Sequence, residues 1–107
     1  MKRQIPIYLI ADAACKRSYY TFMGHLGNLR CAHMAHTVED AKGVVTRVVR
    51  NWEDERKLLD QGVMVYGLRC RDAEQNAHWV RRLRLFKARE SLPNFGATIV
   101  KAILTIE

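Results

Sequence analysis

The stretch Thr37-Val38-Glu39-Asp40-Ala41-Lys42-Gly43-Val44-Val45-Thr46-Arg47-Val48-Val49-Arg50-Asn51-Trp52-Glu53-Asp54-Glu55-Arg56-Lys57-Leu58-Leu59-Asp60-Gln61-Gly62 decides the fold. Ala41, Val44, Val45, Val48, Val49, Trp52 and Leu59 recur at steps of three and four, which places them on one stripe of a 3.6-residue period. Lys42, Arg47, Arg50, Glu53, Asp54 and Lys57 occupy the other side. The spacing predicts one long amphipathic helix over 38–60. Thr37 is its N-cap, since a threonine hydroxyl accepts from the first-turn amides, and Asp40 completes a weak capping box. Glu39 and Asp40 sit at the positive end of the dipole. Gly62 suits a left-handed terminating residue. Arg50–Asp54 and Glu53–Lys57 are expected as i,i+4 pairs. The four valines of the stripe lower the intrinsic helix propensity, so the helix needs a partner surface, and a flat Val/Trp face suits a sheet.

The flanking segments supply that sheet. Ile5 to Ala11 is a nearly continuous apolar run, the pattern of an interior strand, and Pro6 is tolerable near its start. Val63 to Cys70 reads as a second strand. Ala97 to Ile106 reads as a third, with Val100, Ala102, Leu104 and Ile106 on one face and Ile99 and Ile103 on the other. Leu29 to His36 reads as a further short strand. A second helix, 73–90, follows the cap Asp72, with Trp79, Val80, Leu83 and Phe86 as its buried stripe. Ser91 to Gly96 is a breaker segment. Residues 13–26 fit either a helix, with Cys15, Tyr19, Phe22, Met23 and Leu26 at helical spacing, or a hairpin arm built on Tyr19-Tyr20-Thr21; the helix is favoured. The expected fold is therefore α/β (or α+β). It is a single two-layer domain over 1–107, with about four strands, two long helices (38–60 and 73–90) and a third short helix over 13–26. Its apolar last strand leaves an edge to be covered or paired, for which a second copy in a homodimer is a candidate.

The chain has 107 residues, one core's worth, with a formal charge of +7 and a pI near 9.7. Such a balance favours polyanionic partners: nucleic acid, an acidic protein or an anionic membrane surface. The charge is uneven. Residues 1–36 set Lys2, Arg3, Lys16, Arg17 and Arg30 against Asp12, and residues 81–107 set Arg81, Arg82, Arg84, Lys87, Arg89 and Lys101 against Glu90 and Glu107. No apolar run approaches the length of a membrane span, and no signal peptide is expected. Three cysteines make no disulfide framework, and a cytoplasmic location is expected.

Four constellations bear on function. On the second helix, His78, Arg81, Arg82, Leu85 and Arg89 read as an outer cluster flanked by Arg84 and Lys87, with Leu85 as an exposed apolar contact. Guanidinium groups match phosphate oxygens bidentately and stay charged, so a row of them is what backbone binding requires. The alternative is an ordinary solvated face. Cys31, His33 and His36, with His25 upstream, carry zinc-ligand chemistry at a spacing that fits no finger, and buried cysteines with partly exposed histidines are the preferred reading. Asp12, Asp72 and His36 would meet at the carboxyl ends of parallel strands, where open sheets bind ligands. They could serve a small metal-dependent hydrolase, although both aspartates equally suit helix caps. Cys15-Lys16-Arg17-Ser18 has the Cys-x-x-Ser spacing without the prolines of a thiol oxidoreductase. The dinucleotide, phosphate-loop, nucleophile-elbow and zincin motifs are missing from the sequence. The resulting expectation is a small basic, non-enzymatic binding protein, cofactor-free, contacting nucleic acid or a nucleoprotein through the arginine-rich face. A module docking on an acidic protein is the second expectation.

Overall fold

The computed structural model describes residues 2–61 and 73–107. The expected strand over 63–70, the cap Asp72 and the terminator Gly62 lie outside the described residues. The elements are β1 (Arg3–Asp12), β2 (Tyr19–Tyr20), β3 (Leu26–Gly27), α1 (Val38–Asp60), α2 (Ala73–Lys87) and β4 (Ala97–Ile106). The four strands form an antiparallel sheet in the order β3-β2-β1-β4, which with the two helices makes an α+β domain.

α1 spans the residues its periodicity predicts. Thr37 Oγ1 accepts from the Asp40 amide at 3.1 Å. Asp40 does not return the bond; its carboxylate meets His33 Nε2 at 3.1 Å instead. Among the described residues, the helix's own ion pair is Lys42–Glu39 at 3.7 Å, and the expected pairs Arg50–Asp54 and Glu53–Lys57 do not form. Both would sit on the solvated face, where holding two long side chains in register gains little.

β1 is the interior strand the sequence predicts, extended by two residues at its start and one at its end. It pairs with β4 over all ten residues, from Arg3↔Ile106 to Asp12↔Ala97. Its other edge meets β2 at Ala11↔Tyr19 and an isolated bridge at Tyr8↔Ala35. Tyr8 exchanges both backbone bonds with Ala35, at 2.8 and 2.9 Å, so even-numbered residues of β1 aim their amides away from β4. The absent N–H of Pro6 therefore costs no bond of the β1–β4 ladder. Ile10, Ala97 and the half-buried Tyr8 and Ile99 pack beneath Ala41, Val44 and Val48 of α1.

Two expected elements are different. Residues 13–26 form no helix: a turn at 13–17 leads into β2, and β2 pairs back on β3 through Tyr19↔Gly27 and Tyr20↔Leu26. A helix with the stripe Cys15, Tyr19, Phe22, Met23 and Leu26 would have turned Tyr19 to the core and Tyr20 about 100° away from it. The hairpin lets Tyr20 reach full burial beside Ile10, and tertiary burial outweighs helical spacing in a short segment. The predicted strand over 29–36 is instead a single 3₁₀ turn, Leu29–Cys31, capped by Asn28 Oδ1 on the Arg30 amide, followed by the lone bridge at Ala35. α2 also stops at Lys87 rather than residue 90, and 88–92 continue as turns. Pro93–Gly96 then reverses the chain with Asn94, Phe95 and Gly96 at φ of 53°, 54° and 87°. A Cβ at Gly96 would stand 3.2 Å from Asp12 Oδ1.

α1 and α2 run antiparallel: Trp52 lies against Phe86 (ring centroids 6.3 Å apart), and Glu55 meets Arg82. Two arginine–carboxylate pairs clamp this packing. Arg82 binds Glu55, whose residue is 4% exposed, through both Nε and Nη2. Arg89, 1% exposed, binds Asp12 through Nη2 and donates from Nη1 to the Leu85 carbonyl at 2.6 Å. Removing one partner of such a buried pair leaves an uncompensated charge. Arg89→Ala is therefore expected to cost about 3–5 kcal/mol in urea unfolding, and Arg81→Ala on the solvated side less than about 0.5 kcal/mol.

Candidate functional site

α2 divides its cations between two environments. Arg82 and Phe86, four apart, lie on the side of α2 that meets α1, and Arg89, in the turn just past the end of α2, is buried with them. Phe86 is 4% exposed and Arg89 is deeper still. The expected outer cluster therefore splits. Arg89 is interior, not a surface contact. Arg82 is half-buried against Glu55, and Leu85 is half-buried against the core rather than an exposed contact. The physical reason is the turn that ends α2: the Arg89 amide donates to the Phe86 carbonyl at 2.9 Å, which holds Arg89 beside the buried phenyl ring, where its guanidinium meets Asp12.

What remains outside is Arg81, Arg84 and Lys87, at steps of three, with Ala77 and Val80 beside them. At 1.5 Å per residue the row is about 9 Å long. Lys87 also lies 3.5 Å from Glu90, an exposed pair of little strength. His78 belongs to α2 as well. Of the further cations named from sequence, Arg3, Lys16, Arg17 and Arg30 are exposed, and Lys2 lies 3.4 Å from Glu107.

Trp52 is the centre of the packed side. The guanidinium of Arg89 lies 5.2 Å and that of Arg82 5.7 Å from its ring centre. Its indole N–H donates to the Tyr20 hydroxyl at 3.1 Å. Burial pushes the Tyr20 phenol above its ordinary value of 10.0, and the Asp12 carboxylate pushes the same way; the Trp52 and Arg89 donors act against this. Glu55 Oε2 and Arg89 Nε are buried with no hydrogen-bond partner among the described residues. Glu55 was legible only as a gap in the apolar stripe: it stands at the position, three on from Trp52 and four before Leu59, where an apolar residue belongs.

The other constellations do not assemble. Asp12 is buried with both oxygens engaged, Oδ1 by the Ala14 amide at 3.1 Å and Oδ2 by Arg89. The strands among the described residues are antiparallel, so these strands form no carboxyl-end crevice joining Asp12 to His36. Asp72 lies outside the described residues. His33 is tied to Asp40, His36 is exposed, and Cys15 and Cys31 are exposed rather than buried. Among the described residues no three His, Cys, Asp or Glu side chains converge on a metal position. Ser18 Oγ donates to Cys15 Sγ at 3.3 Å. A groove of about 610 Å³ opens between α1 (Val45, Thr46) and the turn and strand at Leu92, Pro93, Ala97 and Ile99, with Lys42 its one ionisable lining residue among those described.

No helix among the described residues is long and apolar enough to cross a membrane. No protein-family model, no curated protein and no solved structure matches the chain. The class these observations define is a basic α+β domain whose second helix carries exposed cations on the side away from its packed face.

The raised phenol gives a pH prediction. Tyr20 keeps its proton to higher pH in the folded state than in the unfolded one. Its contribution is therefore complete below about pH 10 and is lost as pH rises from there through the folded-state value. Tyr20→Phe leaves the Trp52 N–H without its acceptor and should cost about 1–3 kcal/mol near neutrality. The gap between wild type and variant should narrow above about pH 10 when unfolding free energies are compared across pH.

Proposed function

We propose that the protein is a small, basic, non-enzymatic binding protein that contacts nucleic acid, or a nucleoprotein, through the outer side of α2. The observation that carries this reading is the exposed row Arg81, Arg84 and Lys87, set opposite the packed stripe in a chain of net charge +7. Arg82 and Arg89 leave the contact set: their charges hold the helix in place. Arginine and lysine in a row on a rigid helix meet successive phosphates without reading sequence, so the expected binding is phosphate-led and salt-dependent. The same row would serve an acidic protein surface, the second reading, and salt dependence alone does not separate the two. A defined nucleic acid does.

The test is binding of purified protein to mixed DNA and RNA across a salt series. Wild type should bind with a steep inverse dependence on salt. The triple variant Arg81→Ala/Arg84→Ala/Lys87→Ala should fold normally, bind more weakly, and lose about two to three units from the slope of log K against log salt. Equal, weak binding by both proteins would refute the nucleic-acid reading and leave the acidic-protein reading to be tested.

A further inference from the structure

The turn at Thr21–His25 is built to a standard that its position on the surface does not explain. The Thr21 amide donates to the His25 carbonyl at 2.8 Å, and the Gly24 amide to the Thr21 carbonyl at 2.9 Å. The His25 amide donates to Thr21 Oγ1 at 3.2 Å. Two α1 side chains tie the turn down from below: Arg47 Nη1 donates to the Phe22 carbonyl at 3.0 Å, and Asn51 Nδ2 to the Met23 carbonyl at 3.0 Å. Gly24 is buried at φ +85°, and a Cβ there would stand 2.8 Å from Asn51 Nδ2 and 3.2 Å from the Val48 amide nitrogen. Only glycine lets the turn sit this close to the helix.

What this clamp presents is a phenyl ring. Phe22 is 50% exposed. The Arg47 guanidinium lies 4.3 Å from its centroid, and the same guanidinium holds the Phe22 carbonyl, so the cation is fixed against the ring. The His33 ring stands at 5.3 Å, tilted 60°, and is itself held by Asp40. The ring therefore has a cation at one side, a tilted imidazole at its edge, and half of its surface in solvent. Exposed cationic or ionisable groups lie nearby in the chain: His25 on the same turn, and Arg50 three residues on from Arg47 along α1.

A rigid, cation-backed aromatic face beside basic groups is the arrangement that accepts a base stripped of its partner. Every base has a π-face, so stacking tolerates sequence, while the adjacent cations take the phosphates. A base inside a duplex offers no such face. We infer that Phe22, backed by Arg47, is a stacking platform for an unpaired base of single-stranded nucleic acid. The inference rests on the nucleic-acid reading above and narrows it to single strands; DNA and RNA supply the same stacking chemistry.

Fluorescence anisotropy with labelled oligo(dT), oligo(U) and a short duplex, at one salt concentration, tests it. Wild type should prefer a single strand over the duplex, and the two oligonucleotides report which sugar is favoured. Phe22→Ala should weaken single-strand binding about tenfold and leave duplex binding within about twofold. Phe22→Leu, which keeps an apolar side chain for packing but removes the π-face, should lose as much. Phe22→Trp should restore binding, and its indole fluorescence should be quenched as the strand is added. Thermal unfolding of each variant checks that the turn survives. The platform is refuted if Phe22→Leu binds single strands as wild type does, or if single strands and duplex weaken together. Binding of duplex alone, unaffected at Phe22, would remove the platform and keep the phosphate-binding row. If wild type binds none of the three probes, the parent reading fails and takes the platform with it.

Discussion

The packing of α2 onto α1 around Trp52 is the constraint on which the other features depend. Trp52 is 5% exposed and has Phe86 against its ring, Tyr20 on its N–H, and the guanidinium groups of Arg82 and Arg89 near its face. The Asp12–Arg89 pair joins this centre to the end of β1, and the Glu55–Arg82 pair closes it between the helices. Burying charges is costly, and apolar substitutes of the same volume can match such pairs in stability. What the two pairs hold is orientation: Glu55 keeps the Arg82 side of α2 against α1, and Asp12 keeps the turn after α2 at the end of β1.

That orientation sorts the basic residues. Charges turned inward neutralise Asp12 and Glu55, while Arg81, Arg84 and Lys87 are turned outward as a consequence of the same geometry. Net charge read along the chain overstates the exposed cations of residues 81–89, because it counts Arg82 and Arg89 at full value. The same sorting occupies Asp12, whose Oδ1 accepts from the Ala14 amide and whose Oδ2 accepts from Arg89.

The antiparallel sheet has a second consequence. In a parallel sheet every strand delivers its carboxyl end to one rim, and functional side chains gather there. Here β1 and β4 run in opposite directions over ten paired residues, so the end of β1 faces the start of β4. The Pro93–Gly96 turn is folded over that junction, where the Gly96 carbonyl accepts from the Ala13 amide at 2.8 Å. The space that a crevice would need is taken by the turn and by the buried ion pair. The exposed cations of α2 and the β2–β3 turn that α1 clamps lie away from this junction.

The sequence by itself determined the elements whose signal is periodic and long. Seven apolar residues at helical steps and a threonine cap specify α1 to the residue, and the dense apolar runs specify β1 and β4. It also determined that the chain is strongly basic. The short, mixed segments were decided by tertiary structure. Residues 13–26 carry both helical and strand spacing and 29–36 a strand pattern, and full burial of Tyr20 and Ala35 against β1 chose a hairpin and a lone bridge. Which arginines are structural was likewise invisible: Arg89 and Arg84 are the same residue type five positions apart, and only packing against Asp12 separates them. The Phe22 platform escaped for a related reason, since Arg47 and Asn51 lie 25 and 28 residues from the backbone they hold. Local pattern records which face of an element is apolar; pairing between distant charges, and the orientation it imposes, exists only once the elements have met.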